Sequence, residues 1–152
     1  MSLIDFFRGA LYEPSVRDVP VDDSSLLSLH RSLLKQKPML HSAFLYFYQK
    51  MLSLNVKYLN VDGIELELGS GAGFFKEINP VLLTSDIRSS GDFDISLDAQ
   101  EMDIEDGTIR CIYAINVFHH LFDPRLFFNE LNRVLVPGGG CIIIESYVGI
   151  AS

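Results

Sequence analysis

Hydrophobic and polar positions change rhythm once along this chain, close to Gly63. Before that point the pattern is helical. Leu26, Leu27, Leu29, Leu33 and Leu34 recur at helical spacing behind Asp22, Asp23 and Ser24, any of which suits an N-cap. Pro38 fits the first turn of a second helix through Met39–Leu54, with Phe44, Phe47, Met51 and Leu54 as its apolar stripe. From Gly63 onward, short apolar runs alternate with turn and helix signals. The runs Ile64–Leu68, Val81–Ser85, Phe93–Leu97, Ile109–Ile115 and Cys141–Glu145 predict five strands. Between them lie a very short helix at Gly73–Ile78, a turn at Ser89–Gly91 and the stretch Asp98–Gly107. A longer helix at Pro124–Leu135 is capped by Asp123 and stopped by Pro137-Gly138-Gly139-Gly140. Strands alternating with helices predict an α/β fold with a mainly parallel sheet and right-handed crossovers.

Length, charge and cysteines narrow the class. The 152 residues are one domain's worth. A formal net charge of −8 argues against a nucleic-acid partner, which needs a basic surface, and fits a small-molecule one. No run approaches the ~18 apolar residues of a membrane span, and Met1–Arg8 lacks the layout of a signal peptide, so the chain reads as cytoplasmic. Cys111 and Cys141 sit in strand-like runs without metal-site spacing and read as buried, reduced thiols; no metal is expected.

The candidate chemistry begins at Glu67-Leu68-Gly69-Ser70-Gly71-Ala72-Gly73, where a strand ends in a carboxylate and turns through three alternating glycines. Such a turn lets backbone approach a ligand closely. The dinucleotide pattern G-x-G-x-x-G is not met, because Phe74 stands where its third glycine would fall. Asp86 lies seventeen residues beyond Gly69, near the ~20-residue interval at which an acid meets ribose hydroxyls in Rossmann-type folds. Further landmarks are Asp98-Ala99-Gln100, the turn Asn116-Val117-Phe118-His119-His120-Leu121 after the fourth strand, and Pro137-Gly138-Gly139 before the fifth.

In this order, from roughly Gly63 to Tyr147, these landmarks resemble the class I S-adenosylmethionine-dependent methyltransferases, nearest to the type 11 methyltransferase domains. The resemblance implies a Rossmann-like, doubly wound sheet of order 3-2-1-4-5 behind N-terminal helices, with the last two strands of the family fold absent. It implies S-adenosylmethionine or S-adenosylhomocysteine as cofactor. Glu67 would face its ammonium, and Gly69, Ser70, Gly71 and Gly73 would pass beneath its methionine part. Asp86 and Ile87 would lie at the ribose, Asp98 and Ala99 at the adenine, and Asn116 and Val117 at the end of strand four. Asp98 also reads as a simple helix cap, and Met102-Asp103-Ile104 stands where the family has Leu-Pro-Phe. His119 or His120 would serve as general base for a hydroxyl acceptor.

The division expected is residues 1–57 as a helical cap and 58–152 as the cofactor-binding core. Within the cap, His30, Arg31, Lys35, Lys37, His41, Tyr46 and Tyr48 are candidates to meet the acceptor or the cofactor carboxylate. The function expected is methyl transfer to a small-molecule or glycan-type acceptor. The alternatives are a cofactor-binding but catalytically incomplete module and, disfavoured by Phe74, a nicotinamide-dependent oxidoreductase. An apolar strand five at a sheet edge is expected to pair with two further strands of a longer protein or in a homodimer.

Overall fold

The computed structural model describes residues 25–89 and 93–146. The expected cap at Asp22, Asp23 or Ser24, and Gly91 of the expected turn, lie outside them. Helices α1 (Ser25–Gln36) and α2 (Pro38–Tyr58) precede strand β1 (Ile64–Leu68), short helix α3 (Phe75–Ile78) and strands β2 (Leu83–Asp86) and β3 (Ile95–Ser96). Strand β4 (Ile109–Ile115), a 3-10 turn (Phe118–His120), helix α4 (Pro124–Val134) and strand β5 (Leu135–Ile144) complete the order. All strand pairs are parallel and the sheet order is β3-β2-β1-β4-β5, the doubly wound arrangement. Among the described residues, no helix is long and apolar enough to cross a membrane.

Side-chain alternation along β1 and β4 divides the core in two. Leu66, Leu68, Ile112 and Ala114 face α4, where Phe127, Leu131 and Val134 close the layer. Cys111 and Tyr113 face the other way, toward Tyr48 and Met51 of α2 and Phe75 of α3. Each such fully buried large side chain contributes about 1.5–3 kcal/mol. Helix α2 is thus one layer of the sandwich rather than a detached element. Its buried stripe is Tyr48, Met51 and Asn55, with Phe44 packed beside them, not the expected Phe44, Phe47, Met51 and Leu54. The stripe rotates because Asn55 donates to the Tyr113 hydroxyl and accepts from Arg110, so an amide takes a core position.

Three strands also differ from expectation. Strand β2 is Leu83–Asp86 rather than Val81–Ser85, because Val81 is exposed and the ladder with β1 starts at Leu83. Strand β3 keeps only two ladder residues of the expected Phe93–Leu97. Beside it, Asp94 N–H still donates to the Thr84 carbonyl at 3.0 Å, but the Asp94 carboxylate accepts from Thr84 N–H and Thr84 Oγ1, both at 2.8 Å, so a side chain takes the Thr84 donor in place of a ladder carbonyl. Helix α4 ends at Val134, capped at its start by Asp123 as expected, and β5 begins immediately at Leu135. Pro137–Gly140 is therefore not a stop before the strand but a bulge inside it. Ile109 pairs with Leu135 and Cys111 with Gly140, so five residues of β5 run past two of β4. Cys111 is buried and Cys141 half-buried, not fully buried as expected; both are free thiols, and burial pushes them up to about 11 and about 12.

Candidate active site

Strand β1 carries two buried acids on one face, and the contrast between them defines the site. The Glu65 carboxylate accepts from Arg110, from Tyr113 Oη at 2.8 Å and from Asn79 Nδ2 at 2.7 Å. Arg110 also donates to the Leu59 carbonyl at 3.2 Å, tying the end of α2 to the sheet. This network satisfies Glu65 internally and marks it as structural. Glu67 is 5% exposed, and among the described residues no cation pairs with it. Burial pushes its carboxyl up to about 7, against a smaller opposing effect of the Ser70 hydroxyl. A buried acid held at the edge of ionisation beside an open cleft suits a cationic ligand group.

The turn after β1 is shaped for the same purpose. Gly71 has φ of 48°, and a Cβ there would meet only Gly69 O at 3.8 Å and Asp86 Oδ2 at 3.9 Å, so it would stand in the open cleft. A Cβ on Gly69, by contrast, would strike Val117 Cγ2 at 2.5 Å, where the β4 turn crosses the loop. Tyr48 supports the loop from below, stacked on Phe75 with ring centroids 4.4 Å apart. Burial and then Glu67 raise its hydroxyl above the ordinary tyrosine range, so it remains a neutral phenol. Asp86, at the end of β2, accepts from Gly71 N–H and Arg88 N–H at 3.1 Å each, so it braces the glycine loop with oxygen lone pairs to spare.

Two cavities, of about 340 and 360 Å³, meet along Gly69, Gly71, Ile115 and Asn116. The first is lined by Glu67 and the glycine loop on one side and by His30, Leu33, Leu34, Leu40, Phe44 and Tyr48 on the other. The second holds Asp86, Ile87, Asp98, Ala99, Val117 and His120. A third, of about 260 Å³ behind the loop, is lined by Arg31 and Lys76 and shares Glu67, Ser70, Gly71 and Gly73 with the first. The cleft lies at the carboxyl ends of β1, β2 and β4, where open α/β sheets take their ligands.

The structure thus gathers the sequence-derived cofactor residues at one cleft, with some of their side chains already engaged. Asp98 Oδ1 accepts from Gln100 N–H at 2.8 Å, and Ala99 is buried against the core. Asn116 has φ of 56°, and its Oδ1 accepts from Ser146 N–H and from Ser146 Oγ, the latter at 2.8 Å. Its side chain therefore fastens the end of β4 to the end of β5. The two histidines are separated in role. His120 lines the second cavity, whereas His119 Nδ1 lies 2.7 Å from Glu145 Oε2. Burial works to raise the Glu145 carboxyl, but His119 and the Phe118 and Val117 N–H groups outweigh it and hold it below its ordinary range. Glu145 escaped the sequence reading because it stood only as the last residue of a strand. Among the described residues, no group of three or more His, Cys, Asp or Glu side chains is placed to hold a metal ion.

The donor set fits S-adenosylmethionine. Glu67 offers an ionisable buried carboxylate for an ammonium, Gly71 offers space that a Cβ would fill, and Asp86 and Asp98 lie in the adjoining half of the cleft.

Comparison with known proteins agrees. The family described as a methyltransferase domain matches residues 66–143, just over half of the chain. A comparison with curated protein sequences finds no significant match. Among solved structures, one from Methanococcus maripaludis, assigned to the S-adenosyl-L-methionine-dependent methyltransferases, is 13% identical with a TM-score of 0.61, covering 81% of this chain and 64% of its own. A SAM-dependent methyltransferase from Thermotoga maritima is 18% identical with a TM-score of 0.53, covering 77% and 60%. A protein of Pyrococcus horikoshii is 22% identical with a TM-score of 0.50, covering 87% and 65%. At these identities the structures speak for the fold, and the chain spans less than two thirds of the length of each. The family match, the 3-2-1-4-5 sheet and the order of the cleft residues together make the chain a member of the class I S-adenosylmethionine-dependent methyltransferases, with S-adenosylmethionine or S-adenosylhomocysteine as its cofactor.

Proposed function

We propose that this protein transfers a methyl group from S-adenosylmethionine to a small-molecule or glycan-type acceptor. The observation that carries the reading is Glu67, a buried acid with which no cation pairs among the described residues, beside a glycine turn whose Gly71 leaves room for a ligand. Bound in the cleft, the cofactor supplies an electrophilic methyl on a sulfonium. Glu67 receives the ammonium and Arg31, lining the cavity behind the loop, the carboxylate. Asp86 takes the ribose hydroxyls with Ile87 beside it, and Asp98 and Ala99 take the adenine. The apposition of the two cavities orients acceptor and donor, which is most of what a direct displacement requires. For a hydroxyl acceptor, His120 is the better placed of the two adjacent histidines to take the proton, because it lines the cleft while His119 is engaged by Glu145.

In this reading residues 1–57 cover the acceptor, α2 doing so while its buried face forms one layer of the sandwich, and 58–152 make up the rest of the cofactor core, in the cytoplasm. The β5 edge, where Ile142, Ile143 and Ile144 are half-buried and β4 is the one neighbour among the described strands, pairs with a second copy in a homodimer. Incubation with a labelled methyl donor and a metabolite extract tests the activity. A labelled product that disappears in His120→Gln, with S-adenosylhomocysteine binding kept, is expected. Cofactor binding without transfer to any acceptor would favour a binding module instead. Light scattering tests the dimer, and a monomer at all concentrations would refute it.

A further inference from the structure

The half of the cleft beneath α1 and α2 has a chemical character of its own. Its wall is Leu33, Leu34, Leu40, Phe44 and Tyr48, aliphatic and aromatic throughout, with His30 beside them. Neither lysine nor arginine lines this half among the described residues. The cations nearby, Arg31 and Lys76, line the adjoining cavity behind the glycine loop, which shares Glu67, Ser70, Gly71 and Gly73 with this half; there the carboxylate of the donor takes Arg31, and Lys76 is bound by the Asp94 carboxylate. The acid that does line this half, Glu67, adds negative charge when it ionises. A phosphate or carboxylate on the acceptor would lose its water here and meet no further lysine or arginine among the described residues, a large desolvation penalty without compensation. An uncharged ring or chain would instead replace water on the leucines and Phe44. Space permits it. A cavity of about 150 Å³ lined by apolar side chains accommodates a benzene ring, and about 340 Å³ is present here for the amino-acid end of the donor and an acceptor together.

From this lining we infer that the acceptor is an uncharged molecule with an aromatic or aliphatic body, such as a neutral phenol, and not one bearing a phosphate or carboxylate. The inference rests on the methyl-transfer reading and names the acceptor class for that site.

The test uses the full chain saturated with S-adenosylhomocysteine, whose own titration is recorded first. 4-Methylphenol and 4-hydroxybenzoate, similar in size but neutral and anionic, are then compared by saturation-transfer NMR titration. The neutral phenol should bind at least tenfold more tightly. Leu40→Lys, at a position 40% exposed and therefore tolerant of a charge, should reduce that preference at least fivefold by placing a cation on the wall. Equal or tighter binding of 4-hydroxybenzoate, no binding of the phenol to the saturated protein, or an unchanged preference in Leu40→Lys would each overturn the inference. Failure of S-adenosylhomocysteine to bind in the first titration would instead refute the cofactor site, and the inference with it.

Discussion

Replacing Glu67 by glutamine should move stability and cofactor affinity in opposite directions. In the folded protein the carboxyl titrates at about 7, against 4.5 for the free side chain, because burial penalises its charge. The protonated acid is therefore favoured by folding. This contribution to stability is fully present below pH 4.5 and is lost as the pH rises through 7. The interval corresponds to about 3 kcal/mol. Glutamine removes the ionisation, so Glu67→Gln should be about 2–3 kcal/mol more stable than the parent at pH 8, or about 4–10 °C in melting temperature. The gain should shrink to about 1 kcal/mol or less near pH 5 and vanish below pH 4.5. Binding should behave in the reverse sense. An ammonium requires the carboxylate, whose ionised fraction rises about tenfold between pH 6 and pH 8 for a group titrating near 7, so S-adenosylhomocysteine affinity should rise by the same factor. Glu67→Gln should abolish that pH dependence and weaken binding at pH 8 by about 1.5–3 kcal/mol, the range of a charge-assisted hydrogen bond. Circular-dichroism melts from pH 5 to 8, with titration calorimetry at pH 6 and 8, supply both readouts. A variant less stable than the parent at pH 8, or a parent affinity flat across that range, would refute the reasoning.

Other substitutions separate the site from its scaffold. Gly71→Val should abolish S-adenosylhomocysteine binding in a protein that still folds, destabilised by about 1–2 kcal/mol through its positive φ; normal binding by calorimetry would contradict the open-cradle geometry. Asp86→Ala should weaken cofactor binding by about 1.5–3 kcal/mol, because it removes the acceptor for the ribose hydroxyls and releases the Gly71 N–H. Unchanged affinity would exclude Asp86 from the site. Glu65→Ala leaves the half-buried Arg110, the Tyr113 hydroxyl and the Asn79 amide without their shared acceptor and should cost about 2–4 kcal/mol in urea denaturation. A loss under 1 kcal/mol would show that the network does not anchor α2.

Sequence patterns revealed β1 and β4 to the residue because each is an apolar or alternating run bounded by turn residues. The parallel order followed from the alternation of elements and from the resemblance. What escaped is what apolar counting is blind to. The α2 stripe turned toward Tyr48 and Asn55, whose polar tips are satisfied by residues far along the chain, Asn55 by Tyr113 58 positions away. Glu65 and Glu67 look alike in sequence, and only partners from β4 and the segment after α3 distinguish the structural acid from the cleft acid. The glycines at 138–140 read as a stop because the sequence does not show that β4 and β5 pair on both sides of a bulge. At the site, the spacing of Glu67, Asp86, Asp98 and Asn116 pointed to one cleft, and all four line it. The attachment of Asn116 to Ser146 and of His119 to Glu145 required three-dimensional proximity to see.

The central claim, a cleft built around Glu67 and Gly71 for S-adenosylmethionine, is tested most directly by calorimetric titration of S-adenosylhomocysteine into the protein at pH 8, with NAD as the control. The account predicts saturable one-site binding of S-adenosylhomocysteine, its loss in Gly71→Val, and no heat of binding from NAD. Binding of NAD in preference to S-adenosylhomocysteine, or of neither by a folded protein, would contradict it.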